Sequence, residues 1–263
     1  MSRNSIKNIS NLKNKRPITC LTAYTSTIAK IVDKYTDVIL VGDSVGTVIY
    51  GMKNTQSVTL EMMKNHGRTV YESTKKSFTI IDMPYATYQN NKDALINAKM
   101  LLNYTHCQSV KLECDKNTIN IIKYLVKNKI NVVSHIGVTP QSFKDFSKIK
   151  SIGRNKKDRD KMINLALKLE KSGSSMIVLE CLTSDLAKEI SHKLKIPTIG
   201  IGSSMNCDGQ ILVTNDILYN DRLIKKPKFI KSYTDLSLQI NRAVREYTKD
   251  VKNRKFPSKK YSY

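Results

Sequence analysis

The chain contains no run of 18 or more apolar residues, which excludes a membrane-spanning helix. It contains no Cys-x-x-Cys pair, and its five cysteines are an odd number, so neither a disulfide framework nor a zinc-binding module is indicated. Cys20 and Cys181 sit in or beside apolar stretches and read as small buried hydrophobes, which points to a reducing compartment, by default the cytoplasm. The first sixteen residues lack the apolar core of a secretion signal, so this polar, basic start is read as a frayed extension. Acidic residues are scarce, 22 against 45 lysines and arginines, giving a net charge of +23. Zinc-finger spacing, an aromatic ribonucleoprotein motif and a basic heptad are all missing. The lysines are spread over the whole chain, so the charge reads as a solvated surface and not as a nucleic-acid site.

What is present is a repeated plan. Short apolar runs at Ile18–Leu21, Val38–Val41, Phe78–Ile81, Ser109–Glu113, Asn131–Ser134, Met176–Leu179, Pro197–Ile201 and Ile211–Val213 read as strands. Uninterrupted apolar runs are expected of strands buried on both faces, as in parallel sheets. Between them lie segments with helical spacing: Ser26–Tyr35 with Ser26 as its cap, the stretch from Leu60 through Val70, Asp93–Tyr104, Asn117–Lys127, Asp158–Ser172 with Gly173 at its end, and Asp185–Leu194. Tyr233–Lys252 reads as a last helix, and Lys144–Lys157 as a basic loop or lid. Eight strand–helix units in 263 residues favour a closed α/β barrel, a TIM (β/α)8 fold, occupying residues 1–263 as one domain.

Functional side chains stand at five of the strand ends: Asp43, Asp82, Glu113, His135 and Glu180. Ligands bind at the carboxyl ends of barrel strands, so these residues are expected to share one site. Asp43, Asp82 and Glu113 would crowd three like charges unless a cation joined them, and an all-oxygen set without cysteine suits a hard ion such as Mg2+. Gly42 and Gly46 would let the backbone turn and approach a ligand. Lys111 lies two residues before Glu113 and so shares its strand face. It either meets a substrate anion or forms an ion pair with Glu113. Glu180, on a separate strand, suits a general base. His135 is either a donor to substrate or a satisfied barrel histidine. His66, His106 and His192 fall in or near helices and read as surface or packing residues.

Several motifs carry a more specific resemblance: Val41-Gly42-Asp43-Ser44, Ile81-Asp82-Met83-Pro84, Val110-Lys111-Leu112-Glu113, His135 through Ser142, Val178-Leu179-Glu180-Cys181, and Gly200-Ile201-Gly202 followed by Asp208-Gly209-Gln210. In order, from about Ile18 to Pro257, the chain resembles the ketopantoate hydroxymethyltransferase family. The resemblance implies a barrel of the phosphoenolpyruvate/pyruvate superfamily. It implies transfer of a hydroxymethyl group from 5,10-methylenetetrahydrofolate to 3-methyl-2-oxobutanoate, giving 2-dehydropantoate through an enolate that Mg2+ stabilises. Carried over by motif, Asp43, Asp82 and Glu113 would hold Mg2+. Asp43, Ser44, Asp82 and Lys111 would bind the keto acid, with His135 as a further substrate contact, and Glu180 would accept the proton. Large homo-oligomers, commonly decamers, are implied as well. The chain departs from the family pattern at Ser134, Phe146-Ser147-Lys148, Ser203-Ser204 and Tyr261-Ser262. A carbon–carbon lyase of the same superfamily is the nearest rival, but such lyases use a lid cysteine and the loop after His135 has none.

Overall fold

The computed structural model describes residues 2–142, 151–219 and 227–263. Two compact units divide the chain, Met1–Val213 and Thr214–Tyr263. All eight strands belong to the first. They are β1 (Ile18–Thr22), β2 (Val38–Val41), β3 (Phe78–Asp82), β4 (Ser109–Glu113), β5 (Val132–Gly137), β6 (Met176–Glu180), β7 (Thr198–Ile201) and β8 (Gly209–Leu212). Every neighbour pair is parallel, and β8 pairs back to β1 to close the barrel.

Strand alternation sorts the apolar residues into two cores. Cys20, Val38, Leu40, Phe78, Ile80, Val133, Met176, Val178, Ile199 and Ile211 fill the barrel interior. Ile39, Val41, Ile81, Val110, Leu112, Ile177 and Leu179 face the other way, into the layer shared with the helices. On β4, Val110 and Leu112 are in that outer layer, so Ser109, Lys111 and Glu113 point inward. The helices of this unit are α1 (Ile6–Ser10), α2 (Ser26–Val32), α3 (Val45–Val48), α4 (Leu60–Ser73), α5 (Asn91–Thr105), α6 (Thr118–Lys127), α7 (Lys156–Lys171) and α8 (Ser184–Lys193). Side chains cap the starts of four of them, Ser5 on α1 being one. Thr59, Asn90 and Asn155 accept from the backbone N–H groups of Met62, Asp93 and Asp158. Gly173, with φ +96°, follows the end of α7 as expected.

The N-terminal segment corrects the sequence reading, because it is built into the barrel and not frayed. Ser5 and Asn8 form reciprocal capping bonds on α1, and Ile9 is fully buried within the interior core. Arg3 donates to Thr74 and Ser77 ahead of β3, Arg16 pairs with Asp37 ahead of β2, and Lys13 pairs with Asp208 ahead of β8. The segment therefore floors the barrel at the amino ends of its strands. It was illegible in sequence because a five-residue helix has no periodicity to read.

Other boundaries differ too. Helix α2 stops at Val32, its N-cap is Thr25, and Ser26 is instead its first helical residue, accepting a hydrogen bond from Ser73. Strand β5 continues to Gly137, which places His135 within the strand, and β8 begins at Gly209. Of the expected lid, residues 144–150 lie outside the described residues, and Lys156–Lys157 open α7. Phe146-Ser147-Lys148 also lies outside them. Ser134 is absorbed by a bond to Ser174 at 2.5 Å between two buried hydroxyls. Ser203 donates to the carbonyl of Leu179 and accepts from the N–H of Leu182.

The second unit contains α9 (Thr214–Leu218), unread in the sequence, and α10 (Leu236–Lys252), which begins three residues later than expected. No residue of α10 is buried, and Ile240, Val244, Tyr247 and Val251 form an exposed apolar stripe at helical spacing.

Candidate active site

The predicted residues do converge at the carboxyl ends of the strands. Asp82, Glu113 and Glu180 are the last residues of β3, β4 and β6, and Asp43 lies just past β2. Asp82 Oδ2 accepts the Asp43 N–H at 3.0 Å, tying the ends of β2 and β3 together. Gly42 permits that approach: a Cβ there would meet Ser44 Oγ at 2.9 Å and Asp82 Oδ2 at 3.5 Å. Gly46 has a different purpose from the one expected, since a Cβ would strike Val58 at 2.6 Å; it serves packing.

Lys111 pairs with Asp82 Oδ1 at 2.9 Å, so its carboxylate partner is across the strand gap and not Glu113 on its own strand. The register explains this, because Asp82 and Lys111 are direct neighbours on β3 and β4. Likewise Glu113 and His135 are neighbours on β4 and β5. His135 Nδ1 stands 3.8 Å from Glu113 Oε1, and its Nε2 stands 3.0 Å from Glu180 Oε2. Asp82 Oδ1 and both His135 ring nitrogens are buried without a well-aligned hydrogen bond, although Lys111 and Glu180 stand at ion-pair distance. Such atoms are available to a ligand. Ser44 Oγ shares a 2.6 Å hydrogen bond with the Tyr24 hydroxyl.

Gly137 at the end of β5 has φ +107°, and a Cβ would meet the Glu180 carbonyl at 2.1 Å. Cys181, immediately after Glu180, adopts a left-handed φ of 53°. The backbone around Glu180 is thus fixed by a conformation that L-residues rarely take.

Electrostatics separates these groups. Burial, then Asp82, push the Asp43 carboxyl up to about 7. Burial and then Asp43 hold Glu113 well above the usual carboxylate range. Lys111 is held above its ordinary value: burial disfavours its charge, but Asp82, Asp43 and Glu113 together outweigh that cost. His135 is pushed down, first by burial and next by Lys111, so it is neutral near pH 7. Among the described residues, Lys111 and His135 are the only basic side chains at ion-pair distance from these four carboxylates.

One functional candidate escaped the sequence reading. Gln141, in the short 3₁₀ turn Pro140–Ser142, is buried and donates through Nε2 to Asp43 Oδ2 at 2.7 Å. Its backbone N–H reaches both Glu113 oxygens, at 3.0 and 3.1 Å. The one signal for it was its place in the Thr139-Pro140-Gln141-Ser142 motif.

The donor set suits a hard divalent cation in its chemistry: oxygen only, buried, and with more negative charge than Lys111 offsets. Among the described residues, no three His, Cys, Asp or Glu side chains stand in metal-holding geometry as they are. Protein donors occupy several of the oxygens concerned, with Gln141 on Asp43 and Glu113, and the Asp43 N–H on Asp82 Oδ2.

The sequence profile of ketopantoate hydroxymethyltransferase matches residues 3–259. The chain belongs to the ketopantoate hydroxymethyltransferase family. It is 46% identical over 258 residues to the 3-methyl-2-oxobutanoate hydroxymethyltransferase of Pelagibacter ubique, covering 98% of each chain. Against the enzyme of the same name from Rhizobium etli it is 41% identical, covering 97% of this chain and 93% of that one. The protein is therefore an enzyme, a hydroxymethyltransferase. Its barrel resembles solved structures at much lower identity. Phosphonopyruvate hydrolase in complex with oxalate and Mg2+ matches with a TM-score of 0.62 at 11% identity, over 99% of this chain and 93% of that one. A 2,3-dimethylmalate lyase of the PEP mutase/isocitrate lyase superfamily matches with a TM-score of 0.60 at 13% identity, over 97% and 86%. These show the fold. No helix among the described residues is long and apolar enough to cross a membrane.

Proposed function

We propose that the protein transfers a hydroxymethyl group from 5,10-methylenetetrahydrofolate to 3-methyl-2-oxobutanoate, giving 2-dehydropantoate for pantothenate synthesis. The observation that carries this reading is the division of the mouth into two parts: the Asp82–Lys111 pair with Asp43 beside it, and Glu180 against neutral His135. The first part suits binding of an anionic keto acid, and the second suits removal of a proton from it.

Lys111, with Ser44 and the polar groups around Asp43 and Asp82, receives the substrate carboxylate and keto oxygen. Asp43, Asp82 and Glu113 would hold Mg2+. A bound Mg2+ would supply Lewis acidity and offset the excess negative charge of the site. Glu180 takes the C3 proton, and the neutral His135 ring, with Nε2 3.0 Å from Glu180 Oε2, packs beside that carboxylate. Lys111 places its charge beside the oxygen on which negative charge develops. Water adds to the methylene carbon of the folate and frees it from both nitrogens as formaldehyde, and the carbanion carbon then adds to that carbonyl, whose oxygen takes back the proton held by Glu180. The net charge of +23 helps draw both anionic substrates.

The five cysteines are free and buried, which supports a reducing, cytoplasmic setting. The apolar stripe on α10 supports self-assembly into a homo-oligomer, tested by light scattering on Val244→Glu, which should lower the assembled mass. A lyase reading has less support, because no cysteine occurs between Cys114 and Cys181 and the described ones are buried.

The deciding experiment is deuterium exchange at C3 of 3-methyl-2-oxobutanoate, followed by NMR without folate. Exchange that requires Mg2+ and stops with EDTA is the expected result. Folded, Mg2+-supplied protein that leaves C3 unexchanged would overturn the reading. Adding 5,10-methylenetetrahydrofolate should then convert the keto acid to its hydroxymethyl product.

A further inference from the structure

We propose that Gln141 is a positioning residue that holds Asp43 and Glu113 in place for the cation, an inference that rests on the reading above. Asp43 and Glu113 are buried carboxylates of like charge, and left unheld they tend to move apart. Gln141 counters this with donors placed on both. Its Nε2 donates to Asp43 Oδ2 at 2.7 Å, and its backbone N–H is shared between the two oxygens of Glu113.

The amide can take only one orientation. Nε2 also donates to the Met83 carbonyl at 3.0 Å, so two acceptors face it. Oε1 accepts from the Tyr88 hydroxyl at 2.6 Å. Reversing the amide would set Oε1 against a carboxylate and a carbonyl, leaving its donors facing a hydroxyl. Gln56 Nε2 donates to the Gln141 carbonyl at 2.8 Å and anchors the turn from the other side. Five hydrogen-bond partners from the loops after β2 and β3 and from the end of β4 thus converge on one neutral residue. Glutamate, identical in shape, would add another carboxylate where a donor is needed. Groups that orient metal ligands are worth 10- to 100-fold in metal affinity.

The test uses Mn2+ as the probe on the full chain, with free Mn2+ read by electron paramagnetic resonance and Mg2+ as competitor. Gln141→Met keeps length and neutrality but removes the side-chain bonds. It should weaken Mn2+ binding by about 10- to 100-fold. Tyr88→Phe removes the bond that orients the amide and touches no carboxylate, so it should weaken binding in the same direction by a smaller factor. The melting temperatures of both variants in EDTA should stay close to the parent's, which separates positioning from a loss of folding. Parent-like Mn2+ affinity in folded Gln141→Met would overturn the proposal and leave the cation reading standing. Should that variant not fold, parent-like affinity in Tyr88→Phe would do the same. A parent protein that binds no Mn2+ would sink the cation reading and this proposal together.

Discussion

The two mouths of the barrel handle carboxylates in opposite ways. At the amino ends of the strands each acid has its own donors. Asp37 takes a bidentate pair from Arg16 and the N–H of Thr19, and Asp33 accepts backbone N–H bonds from Lys75, Lys76 and Ser77. Both are held below the usual carboxylate range by those bonds, which outweigh burial. At the carboxyl ends Asp43, Asp82, Glu113 and Glu180 have one lysine at ion-pair distance among the described residues, Lys111, which pairs with Asp82, and Asp43 and Glu113 are driven upward. Identical residue types thus stabilise the fold at one end and store unfavourable charge at the other. The stored charge is what a cation and an anionic substrate at one site can use.

The largest expected effect sharpens this division. Glu180→Gln should slow C3 exchange by about 10²- to 10⁴-fold, the usual worth of a general base. Its melting temperature and Mn2+ affinity should be unchanged. Normal exchange by NMR would remove Glu180 as the base.

The converse change lies at the floor. Ile9→Ala empties a fully buried position in the interior core and should cost about 2–5 kcal/mol in urea denaturation. Turnover per folded molecule should hold. A loss below about 1 kcal/mol would mean that the N-terminal helix is not a true part of the core.

Asp37→Asn should cost less, about 1–3 kcal/mol, since it weakens the Arg16 pair and the bond from Thr19 without emptying space. A parent-like urea midpoint would show that this pair does not stabilise the floor. Active-site exchange should again be unaffected.

The mildest effect is on pH dependence. Asp43 is held protonated up to about 7, against an ordinary 3.8, so between those values the native state binds more protons than the unfolded chain. Stability from this group therefore falls as pH rises through that window. In EDTA the melting temperature should rise by a few degrees between about pH 8 and about pH 6. Asp33 and Asp37 act in the other sense: their stabilisation is present above the ordinary carboxylate value and is lost only in more acid solution, below about pH 4. Excess Mg2+ should raise the melting temperature near pH 8 and flatten the slope. A slope unmoved by Mg2+ would dissociate Asp43 from the cation.

Much of this is legible in the amino-acid sequence. Val38–Val41 read as a buried strand because a parallel strand is covered on both faces and needs no polar alternation. The i, i+2 relation placed Lys111 and Glu113 on one face, and β4 confirms that both point inward. Helical spacing of the apolar residues located α4 through α8 to within a few residues.

Other features had no local signal. Lys111 was as free to pair with Glu113 as with Asp82 until the register of β3 on β4 was set. Gln141 meets Asp43, 98 positions away in sequence, and a neutral amide leaves no charge pattern to betray it. The basic start looked unstructured because one buried isoleucine on a five-residue helix cannot be told from chance. The sequence by itself determined the strand count, the barrel class and the residue types at the strand ends, because burial and side-chain alternation are local rules. Tertiary structure alone decided which acid has a partner and which is left with unbalanced charge, since that depends on distances between strands that only closure of the barrel establishes.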